Sequence, residues 1–362
     1  MSDQIFNNIA LDTSFIEAQN FLAGKLLYDL ADLGAKKYAS IYITDIVYRE
    51  VLARFASRVN EEDSKIKQVK KTIASSLRVL KNFDDYQNYF TLPTLDEDQV
   101  INEFKEKFDQ WISKSNLTII PTDDLTIGKV FKDYFDNKPP FSQGEKKHEF
   151  PDAFSFLALQ DYFTKKKRKC LFVTHDKDFN GMETKNIFPV QEVSQEIDRI
   201  LSHEKQSETY TLIRRGFDQN KANLEKQARD IVFAFIEMEV EATSEIRGMW
   251  IDSLDNIDLS DVEFTSSQTV FIGEGKARIE VDGNFAYEIM ITVEDNSEAM
   301  YDREDGRYYG TEYRTIKIKD QKEEKFSVSV DFDLDENYVE IEVEDLNDGN
   351  GFKIFNHEED YY

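Results

Sequence analysis

Cysteine is almost absent from this chain of 362 residues. The single one, Cys170, excludes an internal disulfide framework and a cysteine-rich zinc site. Histidine is scarce as well: the four, at 148, 175, 203 and 357, lack the spacing of a metal-binding motif. No apolar run reaches the 18 or so residues that a membrane-spanning helix needs. The first residues are polar and acidic, without a basic stretch leading into an apolar one, so they do not read as a signal peptide. The expectation is a soluble, cytoplasmic protein with no membrane partner.

What is present is a core. Hydrophobic residues make up 40% of the chain, and 28 Phe and 17 Tyr argue against general disorder. The length suits two domains. The formal charge of -27 is unevenly spread. Residues 1–230 carry 37 acidic and 34 basic side chains, whereas residues 231–362 carry 35 and 11. The acidic C-terminal third is therefore unsuited to passive binding of nucleic acid, while the near-neutral remainder carries no such penalty.

Short apolar runs alternate with helical patterns through the N-terminal part. NIALD (8–12), SIYITD (40–45), LTIIPT (117–122), CLFVTHD (170–176) and NIFPV (186–190) read as strands. One helix is expected from Ser14 to about Leu33, with Gly34 as its stop signal, and another from Val47 to Val59. A separate amphipathic helix is expected over Ile66–Leu80, and others over 97–112, from near Asp124 and from Asp152. The run KKKRK (165–169) closes the last of these, where positive charge faces the negative end of the helix dipole and could also hold a phosphate backbone. Strands separated by helices imply α/β architecture, a parallel sheet with helices on both faces. Residues 192–235 read as mostly helix: a connector, a partner-binding helix pair or part of the second domain. From 236 to 362 polar and apolar residues alternate, which predicts an acidic β-rich domain with one solvated face.

In parallel α/β folds functional residues collect at the carboxyl ends of strands. Asp12 and Asp176 sit there, Glu50 lies on the helix after the second strand, and Asp152 opens a helix behind Pro151. Close carboxylates repel unless a cation compensates. Hard oxygen ligands suit Mg2+ or Mn2+, which can activate water for attack on a phosphodiester. Each residue alone also suits an ordinary role: Asp12 as a helix cap, Asp152 as a helix-start acid, Glu50 as a solvated helical side chain. Asp178, two residues beyond Asp176, is a further candidate ligand. Arg54 is one turn from Glu50 and placed to pair with it.

The segments LDTSF (11–15), TDIVYREV (44–51), KKHEFPDAFSFLAL (146–159) and FVTHDKDF (172–179), in this order, resemble the PIN domain superfamily of nucleases. The resemblance covers residues 5–190 and is nearest to a bacterial subgroup with a K-x-x-E-F-P-D-A segment. It implies a PIN-like nuclease domain at 1–191. It also implies a metal-dependent endonuclease that cuts single-stranded RNA or DNA and leaves a 5′-phosphate. By position, Asp12, Glu50, Asp152 and Asp176 match the acids that hold Mg2+ or Mn2+, with Asp178 as an outer ligand. Thr13 and Ser14 match hydroxyls that support the site. Thr174 stands where substrate or metal water is touched, His175 is placed to donate to a phosphate or is a surface residue, and Lys146 and Lys147 are within reach of flanking phosphates or belong to a solvated loop. Relatives of this kind imply a toxin–antitoxin or phage-defence setting.

The insertion at 61–116 suits a cover for the groove or a homodimer face. The acidic region 236–362 carries no enzymatic motif. It suits a mimic of nucleic acid that restrains the nuclease, a surface for a basic protein partner, or a merely solvated domain. The alternative to an enzyme is a nucleic-acid-binding regulatory module controlled through that region.

Overall fold

The structure, a computed structural model, describes residues 6–355 apart from 77–78, 80–81, 84–92, 124, 126, 140, 142–148, 180–181, 183, 205–207, 247 and 306. The chain divides into two compact units, Met1–Glu196 and Ile197–Tyr362.

The first unit follows the order β1 (Asn8–Leu11), α1 (Thr13–Ala18), α2 (Lys25–Ala35), β2 (Ser40–Thr44), α3 (Asp45–Ser76), α4 (Glu97–Lys114), β3 (Thr118–Ile120), α5 (Ile127–Phe135), α6 (Phe150–Lys166), β4 (Cys170–Val173) and β5 (Ile187–Val190). Its five strands form one sheet in the order β3-β2-β1-β4-β5, each pair parallel. All five coincide with the apolar runs of the sequence. β1 and β4 are central and buried, which accounts for continuous rather than alternating apolar residues. The chain leaves β1 toward β2 on one side and returns at β4 on the other. Such a reversal opens a crevice at the carboxyl ends of the two strands.

Several helix expectations need correction. The helix expected from Ser14 to Leu33 is two, α1 and α2, with Asn20 (φ 45°) and Phe21 (φ 57°) in the left-handed region between them. Phe21 is buried there, edge-on to Phe55 and Phe104 at 5.2 and 5.6 Å. Tertiary burial of that ring outweighs helical continuity. Gly34 does not stop α2. It lies inside the helix, where a Cβ would stand 2.1 Å from the Ser115 carbonyl oxygen, so its role is the close approach of α2 to the end of α4. The two helices expected over 47–59 and 66–80 are the single α3, continuous to Ser76. α6 is apolar on two sides. Phe156, Leu159 and Phe163 face the sheet, whereas Ala153 and Leu157 meet Val130 and Phe141.

In the second unit, α7 (Ser194–Glu204) crosses the boundary between the units and α8 (Glu208–Ala242) follows. The strands are β6 (Glu245–Ile246), β7 (Met249–Leu259), β8 (Glu263–Ile272), β9 (Lys276–Asp295), β10 (Met300–Asp302), β11 (Arg307–Tyr309), β12 (Glu312–Asp333) and β13 (Tyr338–Leu346). The expected β-rich region is an antiparallel sheet. β9 pairs with β12 along its whole length, with β7 and β8 on its other edge and β13 outside β12. Alternate residues of β9, among them Ile279, Val281, Ile289 and Ile291, are buried. α8 runs past residue 235, and its buried stripe, including Leu212, Phe217, Leu224, Val232 and Val240, belongs to this unit's core. A Cβ at Gly216 would stand 2.6 Å from Val339 Cγ1, and Gln227 Oε1 accepts from the Val343 N–H at 2.9 Å. No helix among the described residues is long and apolar enough to cross a membrane.

Two glycine substitutions separate the packing reading of Gly34 from helix propensity. Gly34→Ala should destabilise the chain by about 1–3 kcal/mol through overpacking against Ser115. Gly128→Ala in α5, where a Cβ meets nothing within 4 Å, should stabilise it by up to about 1 kcal/mol. Urea unfolding midpoints check both. An equal response at the two sites would remove the close-approach role of Gly34.

Candidate active site

Four carboxylates reach the crevice from four elements. Asp12 directly follows β1, Glu50 is in the second turn of α3, Asp152 is in the first turn of α6, and Asp176 lies just beyond β4. The β1–β4 pairing brings the first and last together, since the Asp12 N–H donates to the Val173 carbonyl at 3.0 Å.

Asp12 is only 4% exposed. Its Oδ2 accepts from the Thr174 hydroxyl at 2.8 Å, from the Ser14 hydroxyl, and from the Ser14 N–H at 3.4 Å. The helix-cap role and the site role therefore coincide in one residue. Ser14 Oγ also accepts from the His175 N–H at 3.0 Å, and Thr174 Oγ1 from the Asp176 N–H at 3.1 Å. These bonds tie the start of α1 to the loop after β4. The His175 ring lies edge-on to Phe15 at 5.6 Å.

Glu50 Oε2 accepts from the Thr13 hydroxyl at 2.9 Å. Burial raises the Glu50 carboxyl above its ordinary range, opposed by the Thr13 bond and by Arg54 and reinforced by the Asp12 charge. Arg54 does not pair with Glu50. It donates to Glu17 at 2.8 Å, beside Arg58, which donates to the same carboxylate. Its charge still reaches Glu50 and Asp12. Asp152 is strongly perturbed. Burial, then the charges of Asp12, Glu50 and Asp176, push its carboxyl up to about 8. Asp176 Oδ1 accepts from the Asp178 N–H at 2.8 Å. Asp178 itself is exposed, its carboxyl raised by slight burial and by Asp176 and Glu149. Lys146 and Lys147 lie outside the described residues.

The sequence reading missed a buried pair that braces the crevice. Thr44, at the end of β2, shares a hydrogen bond of 2.8 Å with Ser155, one turn beyond Asp152 on α6, and accepts from the Val47 N–H at 3.2 Å. Both side chains are almost wholly buried. A Thr-Asp step where a strand meets a helix was the available signal. Glu17, which anchors Arg54 and Arg58, carried none.

The donor set is all oxygen and strongly anionic, which suits a hard divalent cation. As the described residues stand, no three Asp, Glu, His or Cys side chains are gathered closely enough to hold a metal ion. The carboxylates share a field rather than a common point.

A parallel α/β sheet that presents carboxylates at its switch point belongs to a class of folds that bind ligands there. More particularly, residues 9–179 match the family described as PIN domain, and the match spans all four carboxylates. This segment is accordingly assigned to the PIN-domain superfamily, which supports a nuclease-type function in general. No curated protein and no solved structure matches the chain.

The elevated Asp152 carboxyl has a measurable consequence. An unfolded aspartate titrates near 4. Between about 4 and about 8 the native chain keeps a proton that the unfolded chain has lost, so stability falls as pH rises through that window. In chelator, Asp152→Asn removes the charged form and should raise the thermal midpoint at pH 8, with the gain vanishing toward pH 4. A variant no more stable than the parent at pH 8 would contradict the buried, mutually repelling arrangement.

Proposed function

We propose that residues 9–179 form a divalent-metal-dependent endonuclease that hydrolyses phosphodiester bonds in single-stranded RNA, with single-stranded DNA as the lesser substrate. The observation that carries this reading is the meeting of Asp12, Glu50, Asp152 and Asp176 at one crevice, with the Asp152 carboxyl raised to about 8 by burial and by its three neighbours. Such mutual repulsion is relieved by a cation, and Mg2+ or Mn2+ suits carboxylate oxygens.

Three of the four acids have one oxygen held by the chain. Thr174 and Ser14 hold Asp12 Oδ2, Thr13 holds Glu50 Oε2, and the Asp178 N–H holds Asp176 Oδ1. Among the described residues no hydrogen bond reaches the second oxygen of any of these three, which leaves it open to a ligand. When bound, the ion supplies Lewis-acid activation of water and neutralises charge on the phosphoryl oxygens. Asp12, Asp152 and Asp176 would hold it, and Glu50 would complete its surroundings and orient a water for attack. Asp178 acts from outside through Asp176. Thr13, Ser14 and Thr174 fix the carboxylates, and His175 contacts the nucleic-acid strand. The product carries a 5′-phosphate. The acidic region 236–362 is a surface for a protein partner, the chain acts in a toxin or phage-defence setting, and α3 with α4 supplies a homodimer face.

The test is cleavage of end-labelled single-stranded RNA and DNA by the full chain in Mg2+ or Mn2+. Cutting should require the metal and disappear in Asp12→Asn, which keeps a helix-capping side chain and should melt like the parent. A folded parent that cuts neither strand in either metal would reject the enzyme and leave a binding module. Thr174→Val should retain activity, reduced about 10–100-fold, because it removes a hydrogen bond that orients Asp12 rather than a ligand. An undiminished Thr174→Val would show that Ser14 alone positions Asp12.

A further inference from the structure

The opposite end of the same sheet holds a second constellation. At the amino ends of β1, β2 and β4 lies a polar cavity of about 540 Å3, lined among others by Asn7, Lys37, Ser40, Lys167, Arg168 and Lys169. No carboxylate lines it among the described residues. Lys37 follows the end of α2, and Lys167 to Lys169 follow the end of α6. Two chain reversals therefore bring Lys37, Lys167 and Arg168 to one concavity, whereas the Lys169 ammonium lies over the Phe188 ring at 5.4 Å. The start of β1 holds the basic run in place, with Asn8 Nδ2 donating to the Lys169 carbonyl at 2.9 Å. Lys37, Lys167 and Arg168 make no ion pair with a carboxylate among the described residues.

The backbone adds an independent observation. Among the described residues, the lysines in the left-handed region are Lys37 (φ 62°) and Lys167 (φ 54°), and both line this cavity. At the end of a helix that conformation favours glycine, then asparagine, because a Cβ crowds the carbonyl oxygen. Among the described residues, the other non-glycine left-handed positions are asparagine at 20, 116, 137, 337 and 347, with Phe21 and Asp348 besides. A lysine in each place gives up some local stability. Attraction to the helix dipole explains a cation near each helix end, and Lys36, paired with Asp32 at 2.7 Å, already supplies one for α2. It does not explain why cations from two helices converge on one polar cavity. In a chain of formal charge -27, an anion is drawn in only where cations are locally concentrated.

We propose that this cavity is a phosphate-binding site, separate from the carboxylate crevice, for a ligand that carries two or more adjacent phosphates. The shared chemistry is met by a soluble polyphosphate ligand or by the backbone of a nucleic-acid strand. β1 and β4 span four residues each, so the two sites lie on the order of 13 Å apart along the sheet. One ligand occupying this cavity leaves the crevice open. The proposal stands whether or not the crevice cuts RNA.

The experiment measures binding by the full chain in EDTA, with inorganic tripolyphosphate by calorimetry and with a fluorescein-labelled ten-nucleotide oligouridylate by anisotropy. The parent should bind at least one probe below millimolar concentration. Lys37→Gly with Lys167→Gly should weaken that binding at least tenfold without lowering the thermal midpoint, since glycine suits both turns. Arg168→Gln, at an exposed position, should weaken it in the same direction and needs no backbone argument. Lys65→Gln with Lys71→Gln, an equal loss of charge on exposed positions of α3, should change it less than twofold. Tighter binding of tripolyphosphate assigns a soluble ligand, and tighter binding of the oligonucleotide assigns a strand. Three results overturn the site: neither probe binds, the double glycine variant and Arg168→Gln bind as the parent does, or the α3 control weakens binding as much as the double glycine variant.

Discussion

The pairing of β1 with β4 is the contact on which the crevice depends. Its register sets Leu11 against Val173, so that Asp12 and Thr174 leave the sheet side by side. A shift of one residue would turn alternate side chains to the other face and part the Asp12 carboxylate from the Thr174 hydroxyl. The remaining hydrogen bonds follow from that placement. Ser14 reaches both residues from the first turn of α1, and the loop after β4 folds back onto the Ser14 and Thr174 oxygens.

The electrostatics of the crevice are set by what does not neutralise it. Asp12 is held by hydroxyls, which steady an anion without cancelling its charge. Arg54 is near enough to act on Glu50 and Asp152, yet its guanidinium is hydrogen-bonded to Glu17. The negative field is therefore retained, and the Asp152 carboxyl, buried among three other acids, is pushed up by it. The Thr44–Ser155 bond holds α6 against the end of β2 in spite of that repulsion.

The first unit thus carries opposite charge at the two ends of its central strands, carboxylates where β1 and β4 end and cations where they begin. In the second unit, a long antiparallel pair, β9 with β12, is backed by the apolar stripe of α8. Its acidity lies mainly on outward positions of strands whose inward positions are apolar, with Asp295 among the few buried acids.

The sequence by itself determined the α/β class, all five parallel strands and the antiparallel β-rich region. Each depends on local pattern: a buried strand needs a run of apolar residues, and a half-buried one alternates. Tertiary structure alone decided the break at Asn20 and Phe21, the continuity of α3, the role of Gly34 and the partner of Arg54. It also decided the Thr44–Ser155 brace and the meeting of Lys37 with Lys167. These rest on contacts between residues far apart in the chain, as where Gly34 meets Ser115 and Arg54 meets Glu17. Helical periodicity survives a break when both pieces bury the same face, and a glycine placed for close packing looks, in sequence, like one placed to stop a helix.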